Sequence, residues 1–493
     1  MSQNKKILFR ADGNSDIGLG HIYRILAIVE FYKENYEFVI VLKETSLVSI
    51  IPEAFKTIRI PEKTTIIEEP KWLSDNFTPE NHIIIADGYQ FISTYQKALK
   101  KSGFTLIYID DLASEYMFAD IVVNHSPYTT IETYKAERHT KFALGTSYAM
   151  LRPLFNEAAK KEREIEQIKN AFVCFGGSDQ YDLSLLTAKA LLNISTIKNI
   201  YIVLGGAYKH NEIITLEKEN NNIHLYKNLD EAALYQLMNM CQVAIAPSST
   251  ILYEICSVKM PVLSGYYVEN QKNIYKGLAE KNIIAKGGDF TNYTVLDFEE
   301  KIKSILNNNS INIYTKNQHK LFKGDSKINF LGLINSLNIS FRKAEEKDVI
   351  EVYNWSNDAL VRKNSYNSSS IKLEDHKKWF SKKIKDKNTL FLIALVNNKP
   401  SGIVRFDIDD EHSIVGILVS KNFRGQKLAS EFLKKSTKEY FKIHNQPILA
   451  YIKKENNASI KAFENAGYKY FKDEKIKGCV SFVYKLKRKD VKR

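Results

Sequence analysis

The sequence predicts an α/β chain in three parts: two doubly wound lobes, residues 1–158 and 159–337, then a smaller α+β unit, residues 338–493. Three observations carry this reading. Over the first 290 residues, short β-branched runs alternate with segments whose apolar residues recur at i, i+3 and i+4, the pattern of parallel sheets covered by helices on both faces. Each lobe opens on a strand that runs into a glycine-rich turn. The charge then changes abruptly: 34 Lys and Arg outnumber 19 Asp and Glu after residue 337, whereas 37 and 38 nearly cancel before it. The formal net charge of +14 thus belongs to the last part, as expected where two independent units are joined.

In chain order, strands are expected at Lys6–Arg10, Phe38–Leu42, His82–Ala86, Thr105–Ile109 and Ile121–Val123 in the first lobe. The second lobe should supply Ala171–Phe175, Ile200–Leu204 and Val243–Ala246. Helical periodicity marks His21–Lys33 and Ser184–Asn193, and the charged stretch Glu157–Lys169 reads as a connector or crossover helix. The polar stretch Asn307–Lys327 closes the second lobe. The last unit starts at a strand, Ile339–Arg342, followed by helical segments around Val349–Asn354 and His376–Lys385. Strands follow at Leu390–Val396, Gly402–Asp407, Ser413–Val419 and Ile448–Ile452, then a helix that ends at a Gly467 cap.

Composition excludes several classes. With 44% hydrophobic and 26% charged residues the chain buries a sizeable core and is not globally disordered. No apolar run approaches the ~20 residues of a membrane-spanning helix. Met1-Ser2-Gln3-Asn4-Lys5-Lys6 enters the first strand without a signal-peptide pattern. Cys174, Cys241, Cys256 and Cys479 lie far apart, with no CxxC and no histidine at zinc spacing. Both features point to a reducing cytoplasm, without a disulfide framework or structural metal. The basic last unit suits nucleic acid, an anionic membrane or a polyanionic cofactor, and charge alone does not choose.

The most informative local stretch is Phe9-Arg10-Ala11-Asp12-Gly13-Asn14-Ser15-Asp16-Ile17-Gly18-Leu19-Gly20-His21-Ile22-Tyr23-Arg24. Strand, glycines and helix start succeed one another, so backbone N–H groups can approach an anionic or polar ligand. It is not a dinucleotide fingerprint, because Tyr23 and Arg24 stand where a third glycine would fall. A histidine in the first helical turn suits acid–base work; a capping loop with a solvent-facing histidine accounts for the same residues.

This GxGHxxR turn, with its upstream Arg-x-Asp, resembles the UDP-sugar hydrolases of pseudaminic acid biosynthesis, relatives of the two-lobed GT-B glycosyltransferases. Further segments agree in order over about residues 5–290: Ala86-Asp87-Gly88-Tyr89, Ile109-Asp110-Asp111-Leu112-Ala113, Ala119-Asp120 with Asn124, Leu144-Gly145 with Tyr148-Ala149-Met150-Leu151-Arg152-Pro153, and Phe175-Gly176-Gly177-Ser178-Asp179. The resemblance implies a GT-B arrangement and attack of water on the anomeric carbon of a UDP-linked 2,4-diacetamido-2,4,6-trideoxy-altropyranose. His21 would orient or deprotonate that water, with Asp12 and Tyr89 nearby. It also implies sugar contacts from Arg24, Gln271 and Asn273, and UDP contacts from Gly20 in the first lobe. No DxD-type metal motif stands out, and Asp110-Asp111 lacks companion ligands; metal independence is expected.

In the second lobe the Gly176-Gly177-Ser178 turn suits a diphosphate held by backbone N–H groups, or is simply a tight turn. Farther on, Ser248, Ser249 and Thr250 make a hydroxyl-rich helix start, with Glu254 one turn later. The resemblance places these on UDP, with Glu254 on the ribose; a plain N-cap followed by a surface carboxylate is the other reading.

In the basic unit, Leu418-Val419-Ser420-Lys421-Asn422-Phe423-Arg424-Gly425-Gln426-Lys427-Leu428-Ala429 is strand, turn and helix start. It resembles the acetyl-CoA pyrophosphate loop of the GNAT acetyltransferases, written [RQ]xxGx[GA], with Lys427 where that pattern has glycine. Asn456-Asn457-Ala458-Ser459 with Phe463 and Gly467-Tyr468 resembles the closing helix of the same fold, placing Asn456 or Asn457 near the cofactor. Phe463 stands where many relatives carry a tyrosine general acid, which leaves Tyr451 and Tyr468 as substitutes. Trp355, Asp358, Arg362, His376 and Trp379 resemble the substrate-side helices of amino-sugar acetyltransferases, and for His376 and Trp379 a core or packing role is the other reading. The combined expectation is a bifunctional enzyme acting on UDP-amino-sugar substrates with acetyl-CoA as co-substrate. A GT-B glycosyltransferase is the enzymatic rival and a nucleic-acid binding module the non-enzymatic one.

Overall fold

In the computed structural model, which describes residues 5–14, 17–306 and 308–491, the apolar runs of the first lobe form one seven-stranded parallel sheet. Met1–Asn4, Ser15, Asp16, Asn307 and Lys492–Arg493, which fall in stretches discussed above, lie outside the described residues. The sheet comprises β1 (Lys6–Ala11), β2 (Phe38–Lys43), β3 (Thr57–Ile60), β4 (His82–Asp87), β5 (Thr105–Ile109), β6 (Ile121–Asn124) and β7 (Lys141–Leu144). Their spatial order is β3-β2-β1-β4-β5-β6-β7. A second parallel sheet contains β8 (Asn170–Val173), β9 (Asn199–Leu204), β10 (Ile223–Lys227), β11 (Val243–Pro247), β12 (Val262–Tyr266) and β13 (Ala285–Asp289), in the order β10-β9-β8-β11-β12-β13.

Both orders begin 3-2-1-4-5-6, the doubly wound arrangement. It opens a crevice beyond the carboxyl ends of its first and fourth strands, where the winding reverses. Here those ends carry Asp12, Gly13 and, leading into the next helix, Gly18–Gly20 together with Asp87 in one sheet, and the Gly176-Gly177 turn and Ser248-Ser249-Thr250 in the other. Burial on both faces explains the unbroken apolar runs. Ala171 and Val173 pack into one core layer of the second sheet, while Phe172 and Cys174, pointing the other way, join the opposite layer.

Helix α1 (Gly20–Tyr32) follows β1 and buries Ile22, Ile25, Ile28, Val29 and Phe31. Helices α2 (Pro153–Ala158), α3 (Leu183–Leu192) and α4 (Thr250–Ser257) frame the second sheet. The stretch 157–169 forms no crossover helix. Helix α2 stops at Ala158, and residues 162–169 are a connector without regular secondary structure. The physical reason lies in two cations bonded to backbone oxygens. Arg163 donates to the carbonyls of Met238, Asn239, Cys241 and Val258, and Lys259 donates to those of Ala159, Ser257 and Phe322.

The chain divides into two compact units, one ending at Lys327 and the other beginning at Ile328. The second has one seven-stranded mixed sheet: β14 (Ile339–Lys343), β15 (Thr389–Val396), β16 (Lys399–Ile408), β17 (Ser413–Val419), β18 (Ile448–Lys453), β19 (Lys469–Ile476) and β20 (Cys479–Leu486). They lie in the order β14-β15-β16-β17-β18-β20-β19. Only β17 and β18 run parallel, registered at Ser413–Ile448 and Ile414–Leu449, after which they part. Helix α5 (Leu428–Ile443) buries Leu428, Phe432, Leu433, Tyr440 and Phe441 on this sheet, and α6 (Asn457–Asn465) packs beside it. The helix Ser326–Leu337 brings Gly332 so close to the loop before α5 that a Cβ there would lie 2.4 Å from the Gln426 carbonyl oxygen. This unit therefore opens upstream of residue 338.

Candidate active sites

The end of β4 and the first turn of α1 bring a charged cluster together at the first lobe's switch point. Asp87, fully buried, closes β4. His21 lies in the first turn of α1, which has no side-chain cap and no acidic residue there. Its Nδ1 stands 2.7 Å from Asp87 Oδ1. One turn on, Arg24 donates Nε to Asp87 Oδ2 at 2.8 Å, Nη2 to Asp87 Oδ1 at 2.6 Å, and Nη1 to Asp111 Oδ2 at 2.5 Å. Arg24 Nη2 also lies 2.8 Å from His21 Nδ1. Asp87 Oδ1 can only accept, so its 2.7 Å contact is a hydrogen bond when Nδ1 carries the proton; Arg24 Nη2 is then a close neighbour of Nδ1 rather than its partner, and in that tautomer Nε2 is the acceptor.

Around this core, burial opposes the Asp111 charge, but Arg24 outweighs it, and the carboxyl is held down at about 2. His125, buried behind the cluster, is pushed down to about 4 by desolvation and is neutral at pH 7. The Tyr89 ring meets the His21 ring edge-on at 4.8 Å. Its hydroxyl donates to Asp111 at 3.2 Å and accepts from Asn270 Nδ2 at 2.9 Å. Burial, then Asp111, pushes that phenol up to about 12, so it stays a donor. A Cβ at Gly20 would meet nothing within 4 Å, which leaves open space at the helix start beside His21.

Two expected roles are displaced. The bonds of Asp12 go to other groups than His21: its carboxylate accepts from the Lys43 N–H at 2.7 Å, Ser46 Oγ at 3.1 Å and Gln90 Nε2 at 3.1 Å, and pairs with Arg10 at 2.6 Å. That arrangement braces the turn, and the place beside the histidine belongs to Asp87. Arg24, expected on the sugar, is 7% exposed and bound to two carboxylates instead. Asp87, Asp111 and Asn270 are the residues that motif reading left without roles. Asp87 had a legible signal, as the polar residue ending an apolar strand ahead of Gly88.

In the second sheet, Gly176 adopts φ +83°, and a Cβ on Gly205 would lie 2.2 Å from the carbonyl oxygens of both Gly176 and Gly177. The turn is thus packed from behind and exposed in front at Gly177 and Ser178. Asp179 accepts from the N–H groups of Leu183 at 2.9 Å and Ser184 at 2.8 Å, so a carboxylate already caps α3. The start of α4 differs. Ser249 is its N-cap without a side-chain cap bond, and Ser249 and Thr250 are both half-buried.

Ser248, grouped with them in the sequence, is fully buried. It shares a hydrogen bond with Ser264 Oγ at 2.9 Å and donates its N–H to the Gly265 carbonyl, so it belongs to the sheet. Glu254 is 5% exposed and bound in two-pronged fashion by Arg152, at 2.7 and 2.8 Å. Gln271 accepts from the Tyr267 N–H at 3.0 Å, and Asn273 is half-buried one residue into the next helix.

In the second unit, Leu418 and Val419 end β17 beyond the point where β18 leaves it. The turn into α5 exposes Gly425, at φ +80°, and Lys427, at φ +59°. Lys427, the N-cap of α5, thus stands in the left-handed region that glycine favours. Gln426 is buried and engaged by Asn335 at 2.6 Å, Leu428 is buried, and Ala429 is half-buried on the first turn. Arg424 donates Nε to the Val419 carbonyl at 3.0 Å and pairs with Asp358 at 2.8 Å.

Asn456 caps α6 through Ser459 N–H at 3.2 Å, while Asn457 is exposed at its first turn. Tyr468 is buried in the core, 3.0 Å from Thr437 Oγ1, which removes it as a proton carrier. Tyr451 alternates with the core residues Ala450 and Ile452 and lies on the other face of β18. His376 is buried, bonded to the Val349 carbonyl and stacked on Phe380, a packing role. Among the described residues, no group of three or more His, Cys, Asp or Glu is placed to hold a metal ion. No helix among them is long and apolar enough to cross a membrane.

Comparison with known proteins divides the chain in the same way. The sequence model of the acetyltransferase (GNAT) domain matches residues 338–469. The UDP-2,4-diacetamido-2,4,6-trideoxy-beta-L-altropyranose hydrolase of Campylobacter jejuni is 29% identical over 282 residues, covering 56% of this chain and 97% of its own. A protein of Methanocaldococcus jannaschii named only as uncharacterized is 24% identical over 505 residues, covering 94% of this chain and 96% of its own. Among solved structures, a spermidine N-acetyltransferase from Vibrio cholerae in complex with CoA and spermine is 15% identical, with a TM-score of 0.29, over 31% of this chain and 98% of its own. The chain thus carries a GNAT acetyltransferase domain at 338–469, behind an N-terminal region homologous to a UDP-sugar hydrolase.

Proposed function

We propose that the chain is a bifunctional cytoplasmic enzyme of pseudaminic-type acid biosynthesis. Its second unit N-acetylates the 4-amino group of a UDP-linked amino sugar, and its first, a GT-B-like and metal-independent hydrolase, releases the diacetamido sugar from UDP. The observation that carries the hydrolase reading is the His21–Asp87 pair at 2.7 Å on an uncapped helix start, in the region similar to the Campylobacter hydrolase. Asp87 holds Nδ1–H and leaves Nε2 to accept. As water oxygen bonds to the anomeric carbon, Nε2 takes its proton, and the bond from that carbon to the UDP oxygen breaks with its electron pair on UDP. Ser249, Thr250 and the exposed amides of Gly177 and Ser178 are the donors available to the diphosphate. Gly20, Gln271 and Asn273 remain assigned to nucleotide and sugar on family likeness.

Acetyl-CoA would supply the acetyl thioester to the second unit. The residues present fit it: β17 carries Leu418 and Val419 past its last pairing with β18, and the Gly425–Lys427 turn exposes backbone and a cation at a helix start. Tyr451, rather than Tyr468, is the phenol left to carry a proton. Asn457 is exposed at the start of α6, where the cofactor is expected.

One experiment tests both halves. Wild type and His21→Ala are incubated with acetyl-CoA and a UDP-4-amino sugar, without any acceptor, and followed by mass spectrometry. Wild type should give acetylated UDP-sugar and then free sugar; His21→Ala should accumulate the acetylated UDP-sugar. Free sugar at the wild-type rate from His21→Ala would refute the histidine's role. Acetylated UDP-sugar without free sugar from wild type would favour a glycosyltransferase.

A further inference from the structure

Glu254 and Arg152 come from separate elements, one from within α4 and the other immediately ahead of α2. They meet through two parallel hydrogen bonds, Nε to Oε1 at 2.7 Å and Nη2 to Oε2 at 2.8 Å. The guanidinium is fixed on its other side by the Phe155 ring, whose centroid lies 5.2 Å from Cζ. Burial alone would make the Glu254 carboxylate costly to keep charged, and the fork offsets that cost while fixing its plane. A carboxylate offers about four lone-pair sites and a fork uses two, so one remains on each oxygen. Thirty percent of the Arg152 side chain is exposed, so the pair borders solvent.

We infer that Arg152 is a positioning residue for nucleotide recognition. It locks Glu254 in the orientation whose remaining lone pairs accept from the two vicinal ribose hydroxyls, and so makes the site select ribonucleotides over 2′-deoxyribonucleotides. This rests on the UDP-sugar reading of the site. Lysine cannot replace the fork, because an ammonium is a point charge without a planar pair of donors.

The test titrates the full chain with UDP and with 2′-deoxy-UDP by calorimetry. Wild type should bind UDP roughly tenfold or more tighter, the range expected when one buried acceptor loses its donor. Arg152→Lys and Arg152→Gln should bring the two affinities within about twofold of each other, and KM for the UDP-sugar should rise by a larger factor than kcat falls. A folded variant, by circular dichroism and unfolding midpoint, that keeps the wild-type ratio would make Arg152 merely structural and overturn the inference. Wild type binding both nucleotides equally would overturn it without any variant, leaving the UDP reading intact. Wild type binding neither would refute the UDP reading itself, and this inference with it.

Discussion

The two parallel sheets of the first unit share a strand order and place a glycine turn after their first strand, yet they equip that turn in opposite ways. In the first sheet the helix after the turn, α1, has no side-chain cap, and a histidine stands in its first turn with its Nδ1 against a buried carboxylate. In the second, Asp179 accepts from two N–H groups of α3, so the helix start is already neutralised. The uncapped start there is α4, after the fourth strand, where Ser249 and Thr250 stand. Topology thus decides where ligands can approach, and the consumption of helix N–H groups decides which of those places can accept an anion. A capped helix start leaves a ligand only the amides of its turn, as at Gly177 and Ser178, whereas an uncapped one adds the N–H groups of the helix itself.

The largest expected effect breaks the first half of this contrast. Asp87→Asn keeps the size of the side chain but no longer fixes the proton on Nδ1 of His21. Turnover of UDP-sugar should fall roughly 10²–10⁴-fold, the range for loss of an orienting carboxylate or of general base catalysis. Asp111→Asn removes a partner of Arg24 without touching the histidine and should cost much less. Equal losses from the two variants, by steady-state release of UDP, would mean that the charge cluster matters only as a whole.

The second half is tested by Asp179→Ala. Two N–H groups lose their acceptor, and loss of an N-cap costs about 0.5–2 kcal/mol, read as a lower unfolding midpoint of the first unit. Because the helix start assigned to the diphosphate is that of α4, and Asp179 itself is not among the donors, KM for UDP-sugar should rise less than in a Ser249→Ala, Thr250→Ala double variant. A larger rise in Asp179→Ala would transfer the phosphate site to α3.

The same contrast explains what was legible in the sequence. Runs such as Ile83–Ala86 and Val243–Ala246 announced central strands because both of their faces are buried. The four edges of the two large sheets of the first unit, β3, β7, β10 and β13, are among the strands that no such run announced. They are short, half-exposed and polar, as in the His224 and Lys227 of β10 or the Lys286 and paired glycines of β13. Site residues divided along a similar line. His21 and the glycines have local signatures, whereas the pairing of His21 with Asp87 spans 66 residues and that of Arg152 with Glu254 spans 102. Asp12 shows the same limit: family likeness set it near the histidine, while its bonds go to Arg10 on its own strand and to Lys43, Ser46 and Gln90 on other segments.

The smallest expected effect extends the contrast to the second unit, where a third turn leads into a helix and carries Lys427 at φ +59°. A left-handed backbone costs an L-residue about 1–2 kcal/mol relative to glycine, partly offset by the greater freedom of glycine in the unfolded chain. Lys427→Gly should therefore stabilise the second unit by roughly 0.5–1 kcal/mol, which for a unit of this size raises the thermal midpoint by about 1–4 °C. Lys427→Ala keeps the strained φ and removes the same charge, so its midpoint should stay near the wild-type value. If the exposed ammonium contributes to the cofactor, both variants should weaken acetyl-CoA binding alike, by a few-fold at low salt and less at high salt. Backbone strain and charge then separate cleanly: the midpoint distinguishes the two variants and the binding does not. Equal stabilisation by alanine and glycine would remove the strain argument, and would leave charge repulsion among the neighbouring lysines as the reason for the gain.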